Sequence, residues 1–166
     1  MKQRNDNITV LSPAHAAQIA GWTYKNEYAV YSFTQTGDTL DELMNGEYYA
    51  RLEQGELIGY FCFGQSARIP TVEKDAYTDE ALDMGLGMRP DLCGQGLGYA
   101  FVKSGLGFAQ SRFACKQLRL TVAAFNLRAI RVYEKLGFRR TAEISHRLSH
   151  KPFLVMIRAC EQDVDG

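Results

Sequence analysis

The sequence predicts an α/β or α+β domain in which helices cover the faces of a central sheet. Short apolar runs typical of strands alternate with longer segments that carry helix signals, in the order β-α-α-β-β-β-α-β-α-β-β. The chain has 166 residues, of which 46% are hydrophobic, and this is the size and composition of one globular domain with a core. Because no repeat or linker interrupts the order, we expect a single domain over residues 1–166.

The chain begins with a strand and a helix. The apolar run 8–11 is a short strand, and Ser12 and Pro13 then supply an N-cap and a first-turn proline for a helix that extends to about residue 24. The stretch 24–37 is rich in aromatic residues, but these residues follow no clean period. It therefore predicts no regular element.

A second helix and a hairpin follow. Thr39 and Glu42 have the spacing of a capping box, which predicts a short helix that ends near Gly46. The runs 48–53 and 56–63 flank a Gln-Gly pair, so they predict two strands joined by a tight turn.

The middle of the chain combines a strand, a glycine-rich turn and a helix. After a polar loop over 65–79, the run 81–88 is a strand, and the glycine-rich turn 94–98 leads into a helix over about 97–112. Apolar and polar residues then alternate over 118–122, which indicates a half-buried strand.

One more helix and two strands complete the predicted domain. Asn126 can cap the helix, because its short polar side chain can accept from a first-turn N–H group, and Gly137 marks the helix end. The remaining strands are expected over 138–145 and 153–157.

Charge and cysteine usage exclude several classes of function. Lysines and arginines number 19, as do aspartates and glutamates, and no basic run favours nucleic acid or a membrane surface as a partner. No segment approaches the roughly 18 apolar residues of a membrane span, and the polar N-terminus does not predict a signal peptide. The four cysteines are scattered and have no histidine at metal spacing: Cys62, Cys93, Cys115 and Cys160. We therefore expect no metal, no disulfide framework, free thiols and a cytoplasmic location.

The segment 88–100 carries the strongest chemical signal. Gly94, Gly96 and Gly98 have no side chains, so an anion can approach the backbone, and the first-turn N–H groups of the next helix favour negative charge. The spacing G-x-G-x-G differs from the G-x-G-x-x-G of Rossmann dinucleotide sites, and the Gly-Lys-Ser/Thr of a P-loop is absent. A pyrophosphate-binding turn of another kind and a simple tight turn remain the two interpretations.

Asn126 and Tyr133 form a second constellation. They lie seven residues apart, which is about two helical turns, so both side chains can line one cleft beside the preceding strand. Taken alone, Asn126 is explained as an N-cap and Tyr133 as a core residue. Their combination with the glycine turn favours a functional interpretation.

Together these segments resemble the GNAT superfamily of acetyl-CoA-dependent N-acetyltransferases. The turn is similar to its pyrophosphate signature Gln/Arg-x-x-Gly-x-Gly/Ala, with Cys93 at the leading position, and the run from Asn126 to Phe138 is similar to its second signature. The resemblance implies a mixed, mostly antiparallel sheet of six to seven strands flanked by about four helices. It also implies acetyl-CoA as co-substrate, and homodimers are frequent in this family.

The resemblance implies roles for individual residues. The strand ending at Met88 would splay from the strand 118–122, at a bulge that its two glycines suit, and would leave backbone groups for the pantetheine arm and the thioester carbonyl. Asn126 would hydrogen-bond the coenzyme arm, and Tyr133 would protonate the departing thiolate as general acid. The predicted acetyl-CoA-binding residues are Leu86, Gly87, Met88, Gly94, Gln95, Gly96, Leu97, Gly98, Tyr99 and Asn126.

In the predicted reaction, a primary amine attacks acetyl-CoA directly. The amine belongs to a small molecule or a peptide. The aromatic segment 22–31 would line the acceptor site, Glu27 and Asp83 are candidate bases, and His146 and His150 could reach its mouth. Core packing and solvated side chains are the alternatives for these residues. A transferase that uses another acyl-CoA or makes an ester, and a non-catalytic module that senses acetyl-CoA, also stay open.

Overall fold

Seven strands and four α-helices make up the computed structural model over residues 7–33, 37–78 and 80–160, which are the residues it describes. The strands are β1 (Ile8–Val10), β2 (Tyr48–Glu53), β3 (Glu56–Phe63), β4 (Leu82–Met88), β5 (Gln117–Ala123), β6 (Arg139–Ser145) and β7 (Pro152–Ala159). The helices are α1 (Pro13–Ala20), α2 (Gly37–Leu43), α3 (Gly98–Arg112) and α4 (Leu127–Lys135). Within these ranges, no helix is long and apolar enough to cross a membrane.

The chain forms two compact units, each built from two separate stretches. Unit 1 holds the described residues up to Cys62 together with Leu86–Leu97, and unit 2 holds Phe63–Gly85 together with the described residues from Gly98 onward. The strand order is β1-β2-β3-β4 in unit 1 and β4-β5-β7-β6 in unit 2, because β4 contributes residues to both. β4 is parallel to β5, whereas the pairs β1–β2, β2–β3, β5–β7 and β6–β7 are antiparallel. The predicted mixed, mostly antiparallel sheet of six to seven strands with about four helices is confirmed.

In unit 1, the first helix is shorter than predicted. Ser12 caps α1 as expected, since its Oγ accepts from the His15 N–H over 3.1 Å. The helix ends at Ala20 rather than near residue 24, because the Gly21 N–H turns back to the Gln18 carbonyl in a tight final turn. The aromatic stretch then forms a 3-10 helix, Asn26–Tyr31.

The predicted capping box of the second helix is wrong. α2 begins at Gly37, so Thr39 lies inside the helix, where it is buried, and does not occupy the N-cap position. Glu42 accepts instead from the Tyr48 hydroxyl over 2.7 Å. Thr39 is therefore buried within the helix, and Glu42 contacts β2 instead of completing a capping box.

In unit 2, β5 is one of two inner, largely buried strands. It pairs with β7 along its whole length, from Gln117 opposite Ala159 to Ala123 opposite Phe153. α3 and α4 pack against one another, and a Cβ atom on Gly98 would lie 3.5 Å from the Val132 side chain, an ordinary van der Waals contact. The strand predicted over 118–122 is therefore present and is two residues longer. It is not half-buried as predicted, because Arg119 is 1% exposed and lies in an ion pair with Asp83.

The expectation of free thiols is wrong for two of the four cysteines. Cys115, just before β5, and Cys160, just after β7, form a disulfide with a Cα–Cα distance of 6.0 Å. Cys62 and Cys93 are not disulfide-bonded. The bond was not predicted, because Cys115 and Cys160 are 45 residues apart in the sequence. Only the antiparallel register of β5 and β7 brings the two thiols together. Because this pair is bonded, the cysteines no longer support the prediction of a reducing compartment.

We expect the Cys115–Cys160 bond to stabilise the fold. A disulfide that closes a loop of this length typically contributes about 2–4 kcal/mol, mainly by restricting the unfolded chain. Cys160→Ser should lower the free energy of unfolding by about that amount in urea titrations. A reductant should lower the stability of the wild-type protein to the same level and leave the variant unchanged. Equal stability of the two proteins without reductant would contradict the bond.

Candidate functional site

The glycine turn is exposed and directly precedes α3. Gly94 and Gly96 have φ angles of 77° and 79°, in the left-handed region that glycine adopts without steric cost. A Cβ atom on Gly96 would meet no atom within 4 Å, so the space beside this backbone is open. The Gln95 side-chain amide donates to the Asp91 carbonyl over 2.6 Å and ties the turn to the 3-10 helix Pro90–Leu92. The turn therefore offers an open backbone surface, as an anion site requires.

Helix α3 follows the glycine turn directly in the chain. The helix begins at Gly98, and the dipole of a helix favours an anion at its N-terminus. Leu97 and Tyr99 are 45% and 42% exposed. The predicted binding residues of the stretch 94–99 thus lie at an accessible helix start.

The end of β4, in unit 1, is held against an aromatic ring. A Cβ atom on Gly87 would lie 2.4 Å from Cε2 of Tyr60, so a larger residue at this position would collide with the ring. This contact explains the glycine, for which the sequence predicted a bulge. Leu86, Gly87 and Met88 are all half-buried, so their backbone is not shielded completely.

The Met88 carbonyl is a point where side chains converge. The Tyr24 hydroxyl donates to it over 2.7 Å, and the Cys93 thiol donates to it over 3.7 Å. The next residue, Arg89, donates its backbone N–H to the Ile58 carbonyl over 2.8 Å. Cys93 occupies the position at which the GNAT signature has a Gln or Arg. Its thiol points back to the end of β4.

Tyr24 was not identified from the sequence. It lies in the aromatic segment 22–31, but nothing local distinguishes it from its aromatic neighbours, since its partner Met88 is 64 residues away. Burial raises the pKa of its hydroxyl well above the usual range, and Cys93 adds to this rise. Tyr24 thus stays a proton donor in this hydrogen bond throughout the neutral and mildly alkaline range.

The pairing of β4 with β5 is short. Its parallel register contains Leu82 opposite Leu118 and Asp83 opposite Arg119, whereas β4 continues to Met88 and β5 to Ala123. The splay of the two strands stays a prediction. The bulge at the glycines of β4 stays a prediction.

Asn126 and Tyr133 both belong to the α4 region of unit 2, as predicted. Asn126 is the N-cap, and its Oδ1 accepts from the Ala129 N–H over 3.2 Å. Tyr133 is 5% exposed, and its ring packs edge-on against Phe138 at a centroid distance of 6.0 Å. The structural roles weighed from the sequence are therefore present in both residues. The coenzyme and catalytic roles stay predictions.

Asp83, one of the two candidate bases, is buried and forms ion pairs with Arg68 and Arg119. Its two oxygens accept from Nε and Nη2 of Arg119 over 2.6 and 2.8 Å, and Arg68 Nε donates to Oδ2 over 2.8 Å. Both guanidinium groups lie over the Tyr77 ring, at 5.1 and 5.0 Å from its centroid. The Tyr77 hydroxyl is 2.8 Å from Thr121 Oγ1. A carboxylate with 2% exposure and two cationic partners is not available as a base.

We expect Asp83→Asn to destabilise unit 2 strongly. The substitution leaves the buried Arg119 without a compensating charge, which typically costs about 3–5 kcal/mol. The measurement is urea unfolding. A double variant, Asp83→Leu with Arg119→Met, is the control, because replacing the whole buried pair with apolar residues costs much less than breaking it. A single variant as stable as the wild type would show that the cluster does not form.

The Trp22 ring of the aromatic acceptor segment 22–31 packs against Tyr60, and so does Phe33, two residues beyond the segment. The rings of Trp22 and Phe33 lie 6.3 and 6.2 Å from the Tyr60 ring, and both residues are half-buried. The buried Tyr48 ring contacts Tyr60 at 5.8 Å. Glu27, the other candidate base, is exposed in the first turn of the 3-10 helix. The segment thus combines core packing with partly accessible ring surfaces.

The two loop histidines stabilise the turn before β7. His146 Nδ1 accepts from the Leu148 N–H over 3.1 Å, and its ring lies 6.0 Å from Phe153. His150 has a left-handed φ of 62° and donates its N–H to the His146 carbonyl. Their observed contacts are those of a turn. In the described ranges, no group of three histidine, cysteine or acidic side chains could hold a metal ion.

The comparisons with solved structures place this fold among acetyltransferases. The aminoglycoside acetyltransferase AAC(6')-Ib, solved with ribostamycin and coenzyme A, superposes with a TM-score of 0.72 at 18% identity over 96% of this chain and 98% of that one. An acetyltransferase of the GNAT family from Bacillus anthracis gives 0.69 at 15% identity, covering 93% and 95%. A chimera of spermidine N-acetyltransferase SpeG from Vibrio cholerae and hSSAT gives 0.69 at 17% identity, covering 92% and 94%. These likenesses show the fold.

The family follows from the sequence match. The comparison with curated proteins finds no match. The model of the Acetyltransferase (GNAT) family, however, matches residues 16–138, which is most of the chain and includes the glycine turn, β5 and α4. The chain therefore belongs to the GNAT family of acetyltransferases, which use acetyl-CoA as co-substrate.

Proposed function

We propose that this protein transfers the acetyl group of acetyl-CoA to a primary amine of a small molecule. The observation that carries the proposal is the exposed left-handed turn at Gly94 and Gly96, which leads straight into the start of α3. Such a turn offers backbone N–H groups and a helix dipole to a pyrophosphate. The family match supplies acetyl-CoA as the donor.

The proposed acetyl-CoA-binding set combines this turn with the end of β4 and the N-cap of α4. The turn would bind the pyrophosphate, and half-buried backbone groups of β4 would bind the pantetheine amides. The set is Leu86, Gly87, Met88, Gly94, Gln95, Gly96, Leu97, Gly98, Tyr99 and Asn126. Asn126 caps α4 through its Oδ1, and its side chain is also proposed to hydrogen-bond the coenzyme arm.

The proposed reaction is direct attack. The neutral amine nitrogen forms a bond with the thioester carbonyl carbon, whose oxygen is polarised by an N–H group of Leu86, Gly87 or Met88. The C–S bond then breaks, and Tyr133 gives its proton to the sulfur, so that coenzyme A leaves as a thiol. The attacking nitrogen loses its surplus proton as the amide forms, and that proton restores the Tyr133 hydroxyl. The proton that the substrate ammonium loses goes to water or to Glu27, since Asp83 is occupied by two arginines.

The charge of unit 1 supports a cationic acceptor. Asp38, Asp41 and Glu42 are all exposed on the short helix α2, in the same unit as the aromatic segment. Exposed carboxylates raise the local concentration of protonated amines, and aromatic faces attract them further. The solved structures with this fold include enzymes named for aminoglycosides and spermidine, which are amines of this class. A cytoplasmic location also stays a prediction.

The test is a steady-state assay of thiol release with a panel of acceptors and donors. Polyamines, aminoglycosides, amino acids, peptides and an alcohol are each combined with acetyl-CoA and with longer acyl-CoAs. We expect release with acetyl-CoA and one class of small amine. Release with a longer acyl-CoA alone would change the donor. Coenzyme binding without release from any acceptor would favour the module that only senses acetyl-CoA.

A further inference from the structure

The Tyr24 hydroxyl holds the backbone carbonyl at the end of β4. Its O–H donates to the Met88 oxygen over 2.7 Å, the usual length of a good O–H···O hydrogen bond. The Cys93 thiol reaches the same oxygen only at 3.7 Å, and sulfur is a weak donor. Tyr24 is therefore the stronger of the two side-chain donors to this carbonyl.

Tyr24 is itself held in place by a closed loop. Its backbone N–H donates to Ser32 Oγ over 2.9 Å, across the 3-10 helix Asn26–Tyr31. The Ser32 N–H in turn donates to the Ala29 carbonyl over 3.0 Å. The loop therefore fixes the backbone from which the ring extends, and the position of the hydroxyl is set before any substrate binds.

The same end of β4 is held from two further directions. The Tyr60 ring occupies the space that a side chain at Gly87 would need. The Arg89 N–H donates to the Ile58 carbonyl over 2.8 Å. A ring, a hydroxyl and a backbone hydrogen bond thus fix three successive residues, although this stretch lies at the end of a strand, where such support is usually weakest.

We propose that Tyr24 is a positioning residue for acetyl transfer, whose hydroxyl fixes the peptide groups at the end of β4 that polarise the thioester carbonyl. The inference rests on the proposed function, in which an N–H of Leu86, Gly87 or Met88 faces that oxygen. Such donors act only when they lie about 2.7–3.1 Å from the developing oxyanion. Tyr24 acts through the backbone and does not itself touch the substrate.

The experiment compares Tyr24→Phe with Tyr48→Phe. The first variant keeps the ring and removes the hydroxyl that holds Met88. The second variant removes an equally short hydrogen bond, the 2.7 Å contact of the Tyr48 hydroxyl with Glu42. Tyr48 packs on Tyr60, the ring that faces Gly87. We expect kcat of Tyr24→Phe to fall about ten- to hundredfold, because small misplacements of catalytic groups have effects of this size. The acetyl-CoA Kd, measured by calorimetry, and the amine KM should not change, and Tyr48→Phe should keep wild-type kcat.

Three results would overturn the inference: wild-type kcat in Tyr24→Phe, an equal loss in both variants, or a loss that appears in the Kd for acetyl-CoA and not in kcat. If Tyr24→Phe does not fold, Ser32→Ala tests the same linkage, because it releases the loop and leaves the hydroxyl intact. A smaller fall in kcat alone would then support the inference, and no change would overturn it. Absence of acetyl transfer to any amine in the wild-type protein would instead refute the proposed function.

Discussion

Replacing Tyr133 with phenylalanine is expected to lower kcat by about 10²–10⁴, the usual contribution of a positioned general acid or base. Attack of the amine must expel a thiolate, and a proton donor at the sulfur converts this leaving group into a neutral thiol. Phenylalanine keeps the ring and its edge-on packing against Phe138, so we expect a folded protein. The acetyl-CoA Kd should stay close to the wild-type value, because only the acid is lost.

The control for this prediction is Tyr49→Phe. Tyr49 of β2 is 7% exposed and Tyr133 is 5% exposed, so both substitutions remove a hydroxyl from a nearly buried tyrosine. Only the Tyr133 variant should lose turnover in steady-state assays with the best acceptor. Turnover at the wild-type rate would assign the proton to another group or to water. A parallel fall in both variants would show a general effect of losing a buried hydroxyl.

Replacing Gly96 with valine is expected to weaken acetyl-CoA binding about a hundredfold, which corresponds to about 2.7 kcal/mol. The added side chain would occupy the open space beside the turn, where nothing lies within 4 Å of a Cβ atom. That space is where the pyrophosphate must approach the backbone. Calorimetry on the folded variant measures the change in Kd.

Strain must be separated from the loss of the site, because valine is unfavourable at a φ of 79°. Gly55→Val is the matched control: Gly55 has a φ of 83° and an equally open Cβ position, but it lies in the turn between β2 and β3. Both variants should lose similar stability in urea, and only Gly96→Val should lose coenzyme affinity. Unchanged affinity of Gly96→Val would rule out the pyrophosphate assignment.

Local signals in the sequence predicted most of the fold. The Ser12 cap, the glycine turn before α3 and the Asn126 cap of α4 each depend on residues within a few positions of one another. The alternation of β5 is also local, since successive side chains of a strand point to opposite faces. The capping box at Thr39 failed because its spacing also fits the interior of a helix that begins at Gly37.

Contacts between distant residues could not be predicted in this way. The hydroxyl of Tyr24 and the carbonyl of Met88 are 64 residues apart, and Cys115 and Cys160 are 45 apart. The ion cluster joins Asp83 to Arg119, 36 residues on. Each contact depends on strand register or on loop closure, which a single sequence specifies only through the whole fold. Asp83 therefore looked like a candidate base, although its two oxygens are occupied.

The most direct test of acetyl transfer follows an isotopically labelled acetyl group from acetyl-CoA to the acceptor. The purified protein is incubated with labelled acetyl-CoA and the amine that gives the fastest thiol release, and the products are identified by mass spectrometry. We predict one labelled acetyl group on the amine nitrogen for each thiol released, and no labelled protein. Thiol release that yields only labelled acetate, or binding of acetyl-CoA without any labelled product, would contradict the proposal that this protein is an amine acetyltransferase.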